Sequence, residues 1–100
     1  MTVVRNVFQL KFGAAREAVL LWKQGLAIAN RAGFPGTSTR LLTDLVGPFY
    51  TLVMESTHDS LSAYERAAAS LMESQEWKTW YAKVVPLTDG GHREVFAIVD

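Results

Sequence analysis

No cysteine occurs among the 100 residues, which excludes disulfides, thiolate nucleophiles and Cys-based zinc sites. An excess of one charge is missing too. Ten Lys and Arg balance ten Asp and Glu, and no basic cluster forms the stripe that phosphate-backbone binding needs, so nucleic acid is not an expected partner. No uninterrupted apolar run exceeds five residues, as from Ala18 to Trp22, far short of the roughly 20 that span a bilayer, so no membrane is expected either. Met1 to Leu10 carries Arg5, Asn6 and Gln9 where a secretory signal needs apolar residues. No export signal is read there, and the cytoplasm is the expected compartment. The serines form no G-x-S-x-G elbow, and no glycine-rich phosphate loop follows a strand, which leaves nucleophilic hydrolysis and nucleotide binding unsupported.

What is present is a composition of packed globular proteins: 49% apolar and 20% charged residues. A chain of this length has room for one core, so residues 1–100 are read as a single domain.

Val3 to Phe12 interleaves Val, Phe and Leu with polar residues and reads as a strand ended by Gly13. Ala14 to Ala32 places Ala18, Leu21, Trp22, Gly25, Ala29 and Ala32 on one helical face. Gly25 costs roughly 1 kcal/mol relative to alanine inside a helix, which predicts a close approach of that backbone to the sheet. Gly33-Phe34-Pro35 is the stop: a left-handed cap, a ring that packs back, and a residue that cannot continue.

Thr37 to Val46 and Phe49 to Glu55 read as an antiparallel hairpin turning at Gly47-Pro48. Ser60 or Asp59 then caps a helix that starts at Leu61. Ser74-Gln75 interrupts it before Glu76, Trp77, Trp80, Tyr81 and Val84 resume the apolar face, which predicts a kinked or broken second helix. After Pro86 and the break Asp89-Gly90-Gly91, Arg93 to Val99 reads as the last strand. The order strand, helix, strand, strand, helix, strand is the ferredoxin-like α+β pattern, a four-stranded antiparallel sheet with helices on one face.

Helices on one face leave the other bare, and that face should be polar in a monomer. Both faces read as substantially apolar instead: Tyr50, Leu52 and Met54 against Phe49, Thr51 and Val53, and Val95, Ala97 and Val99 against Phe96 and Ile98. A homodimer through the open face follows, unless a loop or the interrupted helix covers it.

Leu10-Lys11-Phe12-Gly13, Tyr50-Thr51-Leu52-Val53-Met54-Glu55-Ser56 ahead of Ser60-Leu61, Glu76-Trp77 and Arg93-Glu94-Val95-Phe96 together resemble the dimeric α/β-barrel superfamily, most closely its NIPSNAP-like branch. The resemblance implies two sheets packed face to face, with a cleft between each sheet and its helices for a small organic ligand. It also implies an alternative: a cofactor-free monooxygenase, cyclase or isomerase acting on an aromatic or polyketide-like substrate. Asn6 occupies a place similar to the strand asparagine of haem-degrading relatives. The stretch Tyr64 to Tyr81 lacks the histidine those enzymes use, so haem is not expected, no cofactor is implied, and Asn6 reads first as a hydrogen-bonded structural group.

Five residues are candidates for polarising a carbonyl or moving a proton: Asn6, Arg40, Tyr50, Tyr81 and His92. Arg40 and Asp44, four apart in the second strand, share a side and either orient a bound carboxylate or serve as a solvated edge or cross-dimer ion pair. His58, read in a loop, and His92, read at a strand start, lack the partners of a metal site, so no metal is expected. Trp22, Trp77, Trp80 and Tyr81 read as core builders that also suit an aromatic-ligand cleft.

Overall fold

The computed structural model describes residues 1–34 and 38–100. Strand β1 (Thr2–Leu10) leads to helix α1 (Ala15–Arg31), strands β2 (Thr39–Thr43) and β3 (Thr51–His58), helices α2 (Leu61–Met72) and α3 (Gln75–Val84), a 3-10 turn and strand β4 (Thr88–Ala97). The four strands form one antiparallel sheet in the order β2-β3-β1-β4. This is the expected ferredoxin-like α+β architecture.

Alternation along β1 sorts its side chains. Val4, Asn6, Phe8 and Leu10 face the helices, while Val3, Arg5, Val7 and Gln9 face the other way. Helix α1 buries Ala18, Trp22, Gly25, Ile28 and Ala29, the spacing of a single apolar stripe. Its end is a Schellman motif: Gly33 at φ +91° lets the Phe34 N–H reach Ala29 O at 2.9 Å and its own N–H reach Asn30 O at 3.1 Å. Phe34 is buried against the core. Pro35, the last part of that stop signal, and Thr37, where the second strand was expected to begin, lie outside the described residues.

Trp22 is the centre of the core. It stacks on Phe8 at 4.9 Å and meets Trp80 edge-on at 4.8 Å. The Trp80 indole N–H donates to Leu21 O at 2.6 Å, and a Cβ on Gly25 would overlap the Trp80 ring. The close approach read from Gly25 is therefore to α3 rather than to the sheet. The second helix is broken outright: Ser60 Oγ accepts the Ala63 N–H at 3.1 Å to start α2, and Ser74 Oγ accepts the Trp77 N–H at 3.2 Å to start α3.

The strand limits differ from those expected, each for a local reason. β1 stops two residues early, because Lys11 turns to give its N–H to Leu87 O while its carbonyl accepts from Ala14. β2 stops at Thr43, where the Asp44 carboxylate accepts the Thr51 N–H at 2.9 Å and opens a loop wider than the Gly47-Pro48 pair. β3 runs on to His58, paired with Thr2, so His58 ends a strand rather than sitting in a loop. β4 begins at Thr88, five residues ahead of Arg93, which puts His92 mid-strand. The glycines read as a break lie in the ladder, Gly90 opposite Gln9 and Gly91 opposite Phe8. A Cβ on Gly91 would sit 2.5 Å from Val7 O, so the second glycine permits close backbone approach rather than a turn.

The open face is less apolar than expected. The ladders align Arg40, Glu55, Arg5 and Glu94 across all four strands, with Leu42, Val53 and Val7 in one flanking row and Val3 and Phe96 in the other. Phe49, assigned to that face from alternation, belongs to the loop before β3 and is 72% exposed. Ile98 lies beyond the end of β4. The apolar residues of β3 and β4 taken alone leave out Glu55 and Glu94 in those same strands and Arg5 and Arg40 in their neighbours.

Candidate functional site

A cleft of about 380 Å³ opens between the sheet and helices α2 and α3. Its floor is Asn6 and Phe8 of β1, Met54 of β3 and Gly91 to Arg93 of β4; Tyr64, Leu71 and Trp77 close it from the helices. The polar feature is a cross-strand pair. Asn6 and Arg93 are direct partners in the β1–β4 register, and the Arg93 Nε–H donates to Asn6 Oδ1 at 2.7 Å. The guanidinium also lies 5.5 Å from the centroid of the Tyr64 ring, a cation–π contact that holds it from the helix side. Asn6 is buried, and Arg93 supplies the hydrogen bond that a buried amide requires.

Behind Tyr64 is a second polar group under the helices. His58 is buried, its Nε2 lies 2.8 Å from Ser56 Oγ, and its ring meets Tyr64 and Phe34 edge-on at 5.1 and 5.4 Å. Burial lowers its pKa below the ordinary 6.5, and the neighbouring Asp59 carboxylate offsets part of that effect. The net effect favours the neutral imidazole.

The cleft gathers three of the five candidate residues: Asn6, Tyr81 and His92. Although His92 borders the cleft, alternation puts Arg93 on the helix-facing side of β4, and the His92 ring pairs with Glu94 at 3.1 Å on the opposite side. Arg40 sits on the open face, its Nε donating to Glu55 Oε1 at 2.8 Å. Asp44 is engaged with Thr51, so Arg40 and Asp44 have separate partners. Tyr50 is at the far end of the molecule, at φ +59°, with its ring 4.6 Å from Phe12. There it lines a larger, open concavity of about 730 Å³ together with Arg16, Leu20 and Phe49. Phe12 at 82% and Phe49 at 72% exposure leave that concavity unenclosed.

Trp22, Trp77 and Tyr81, read as suited to an aromatic-ligand cleft, do line it, while Arg93 and Tyr64 are the cleft residues that sequence reasoning missed. A signal for Arg93 existed: extending β4 back through the glycines sets Arg93 opposite Asn6. Among the described residues, no group of three or more His, Asp or Glu is placed to hold a metal ion, and no helix is long and apolar enough to cross a membrane.

Solved structures share this arrangement. A NIPSNAP family protein from Agrobacterium tumefaciens superposes with a TM-score of 0.87 at 19% identity, covering 99% of this chain and 86% of that one. The fold is the NIPSNAP fold. A NIPSNAP domain protein from Burkholderia xenovorans matches at 0.85 and 17% identity over 99% of this chain and 95% of that one. SnoaB, a cofactor-independent oxygenase from Streptomyces nogalater, matches at 0.71 and 18% identity, covering 99% and 93%. No protein-family model and no curated relative matches the sequence. Sheet order and helix placement are thus features of a shared fold, and fold alone does not fix function.

Proposed function

We propose that this chain, a single domain over residues 1–100, is a cytoplasmic NIPSNAP-like homodimer that binds a small organic molecule in the cleft between sheet and helices. The observation that carries this reading is the cleft itself, in which aromatic walls converge on one oriented polar pair, Asn6 and Arg93. Its volume of about 380 Å³ falls in the range of small-ligand sites. The open sheet face supports the dimer. Along the row Arg40, Glu55, Arg5, Glu94 the charges alternate in sign. A second copy turned about an axis parallel to the strands, midway along that row, sets each charge against an opposite one. The alternative axis, across the strands, sets like against like.

Two measurements test the reading. Sedimentation in dilute buffer is expected to give twice the 11.1 kDa chain mass, and Glu55→Arg, which reverses one member of the row, is expected to give the single-chain mass. A particle of 11.1 kDa from the unaltered chain removes the dimer. A thermal-shift screen with aromatic acids, quinones and haem tests the cleft, since a ligand that prefers the folded state raises the melting temperature. The cofactor-free enzyme remains the second reading, supported by Asn6 and Tyr81 lining one cleft in a fold shared with an oxygenase. It requires dissolved-oxygen uptake or product formation with an aromatic substrate, without flavin or metal; turnover unchanged in Asn6→Ala and Tyr81→Phe counts against it.

A further inference from the structure

We propose that the cleft selects a planar organic anion, an aromatic carboxylate, whose charged end is held by the outer nitrogens of Arg93. This rests on the reading of the cleft as a ligand site and adds the class of ligand.

The first observation is the state of Arg93. Arg5, Arg31 and Arg40 each carry a carboxylate partner, at 3.6, 2.7 and 2.7 Å. Arg16, Arg66 and Arg93 have none among the described residues, and of these three Arg93 lines the cleft. Its Nε–H is committed to Asn6 Oδ1 and its central carbon lies over the Tyr64 ring at 5.5 Å, so the guanidinium is held in place while its two Nη groups have no other partner among the described residues. A carboxylate is the group that matches two parallel N–H donors of a guanidinium, and an arginine already oriented loses less conformational freedom on binding one.

The second observation is the chemistry of the walls. No Asp or Glu lines the cleft. Two wall residues, Trp22 and Trp77, have buried indole N–H groups with no hydrogen-bond partner among the described residues. Those indole groups lie beneath the cleft surface, where their positive ends face no acceptor, and with Arg93 as the charged lining residue and no lining carboxylate the cleft favours a negative guest over a positive one. The third observation is shape. Phe8, Tyr64, Trp77 and Tyr81 present rings on both the sheet and helix sides, a lining suited to a flat aromatic body.

The test compares 2-naphthoate with 2-naphthamide, a pair alike in shape and different in charge, by isothermal titration against the full chain. Naphthoate is expected to bind at least about tenfold more tightly, the scale of a charge-assisted over a neutral hydrogen-bonded contact. Arg93→Gln is expected to bring the two within about twofold of each other, and Arg93→Lys to fall between. Arg31→Gln, on the surface beside Glu76, is expected to keep the full preference. Ala68→Phe, which fills the cleft, is expected to abolish binding of both probes. Melting curves confirm that each variant is folded. Equal affinities for the two probes, both lost in Ala68→Phe, overturn the anion assignment and leave the ligand site standing. A preference that survives Arg93→Gln also overturns it. Binding untouched by Ala68→Phe, or no binding of either probe, overturns the assignment and the cleft reading together.

Discussion

The two faces of the sheet are built from the same strands by alternation, yet they solve opposite problems. The covered face buries Val4, Leu10, Leu52 and Met54 beneath three tryptophans, and its buried polar residues are bonded, Asn6 to Arg93 and Ser56 to His58. The open face sets a row of four charged residues between two rows that are largely valine, leucine and phenylalanine. Burial against the chain's own helices demands shape and hydrogen-bond closure. A surface that meets a second molecule requires charges arranged to select its orientation.

The contrast breaks most sharply at Trp22. Trp22→Ala is expected to cost about 3 to 5 kcal/mol by emptying the centre of the covered face, a fall of roughly 15 °C or more in melting temperature for a domain of this size. Val53→Ala on the open face, where the valine is buried outside the main core, is expected to cost only about 1.5 kcal/mol from two lost carbon groups. Equal losses on thermal denaturation would erase the distinction between the faces.

Gly91→Ala is expected to destabilise by about 1 to 3 kcal/mol, because the new methyl group meets Val7 O and forces β4 away from β1. Urea denaturation measures the loss, and hydrogen exchange places it: faster exchange should appear in β4 and β1 and spare β2. Glu55→Gln, which leaves Arg5 and Arg40 without their carboxylate, is expected to cost about 1 kcal/mol or less in folding. Its signature is a weaker salt dependence of the monomer–dimer equilibrium, read by sedimentation at two ionic strengths.

The finest test is His58. Its folded pKa is lowered, so between that value and 6.5 the unfolded chain binds more protons than the folded one. The stability of the neutral buried ring is fully present above about pH 6.5 and declines as pH falls from there toward the lowered folded pKa. His58→Phe keeps an aromatic ring against Phe34 and Tyr64 and cannot titrate. Melting temperatures followed from pH 7.5 to 5 are expected to show a shallower decline in the variant, and an identical decline would assign the pH response to other groups.

Much of the fold was legible because its signals are local. The helix limits came from Gly33, Ser60 and Ser74, each a capping residue acting within a few positions of itself. The break between α2 and α3 was readable from Ser74-Gln75 for the same reason. The candidate site was only half legible. Asn6 and Tyr81 were singled out and both line the cleft, while Tyr50 and Arg40 stand elsewhere and Arg93, read as a strand start, was not among the candidates. Gly90-Gly91 misled because glycine signals a turn and a close backbone contact with the same letter, and the choice depends on what lies across the ladder.

By itself, the amino-acid sequence determined the order of elements, the apolar stripe of α1, the helix stops and the balance of charge, since each is set by neighbours within a turn or two. The tertiary structure alone decided that Arg93 lies against Asn6 and Tyr64, that Gly25 yields its space to Trp80, and that four charges from four strands fall into one row. Those contacts join residues far apart in the chain, and strand register, in which a shift of one residue sends every side chain to the other face, is what brings them together.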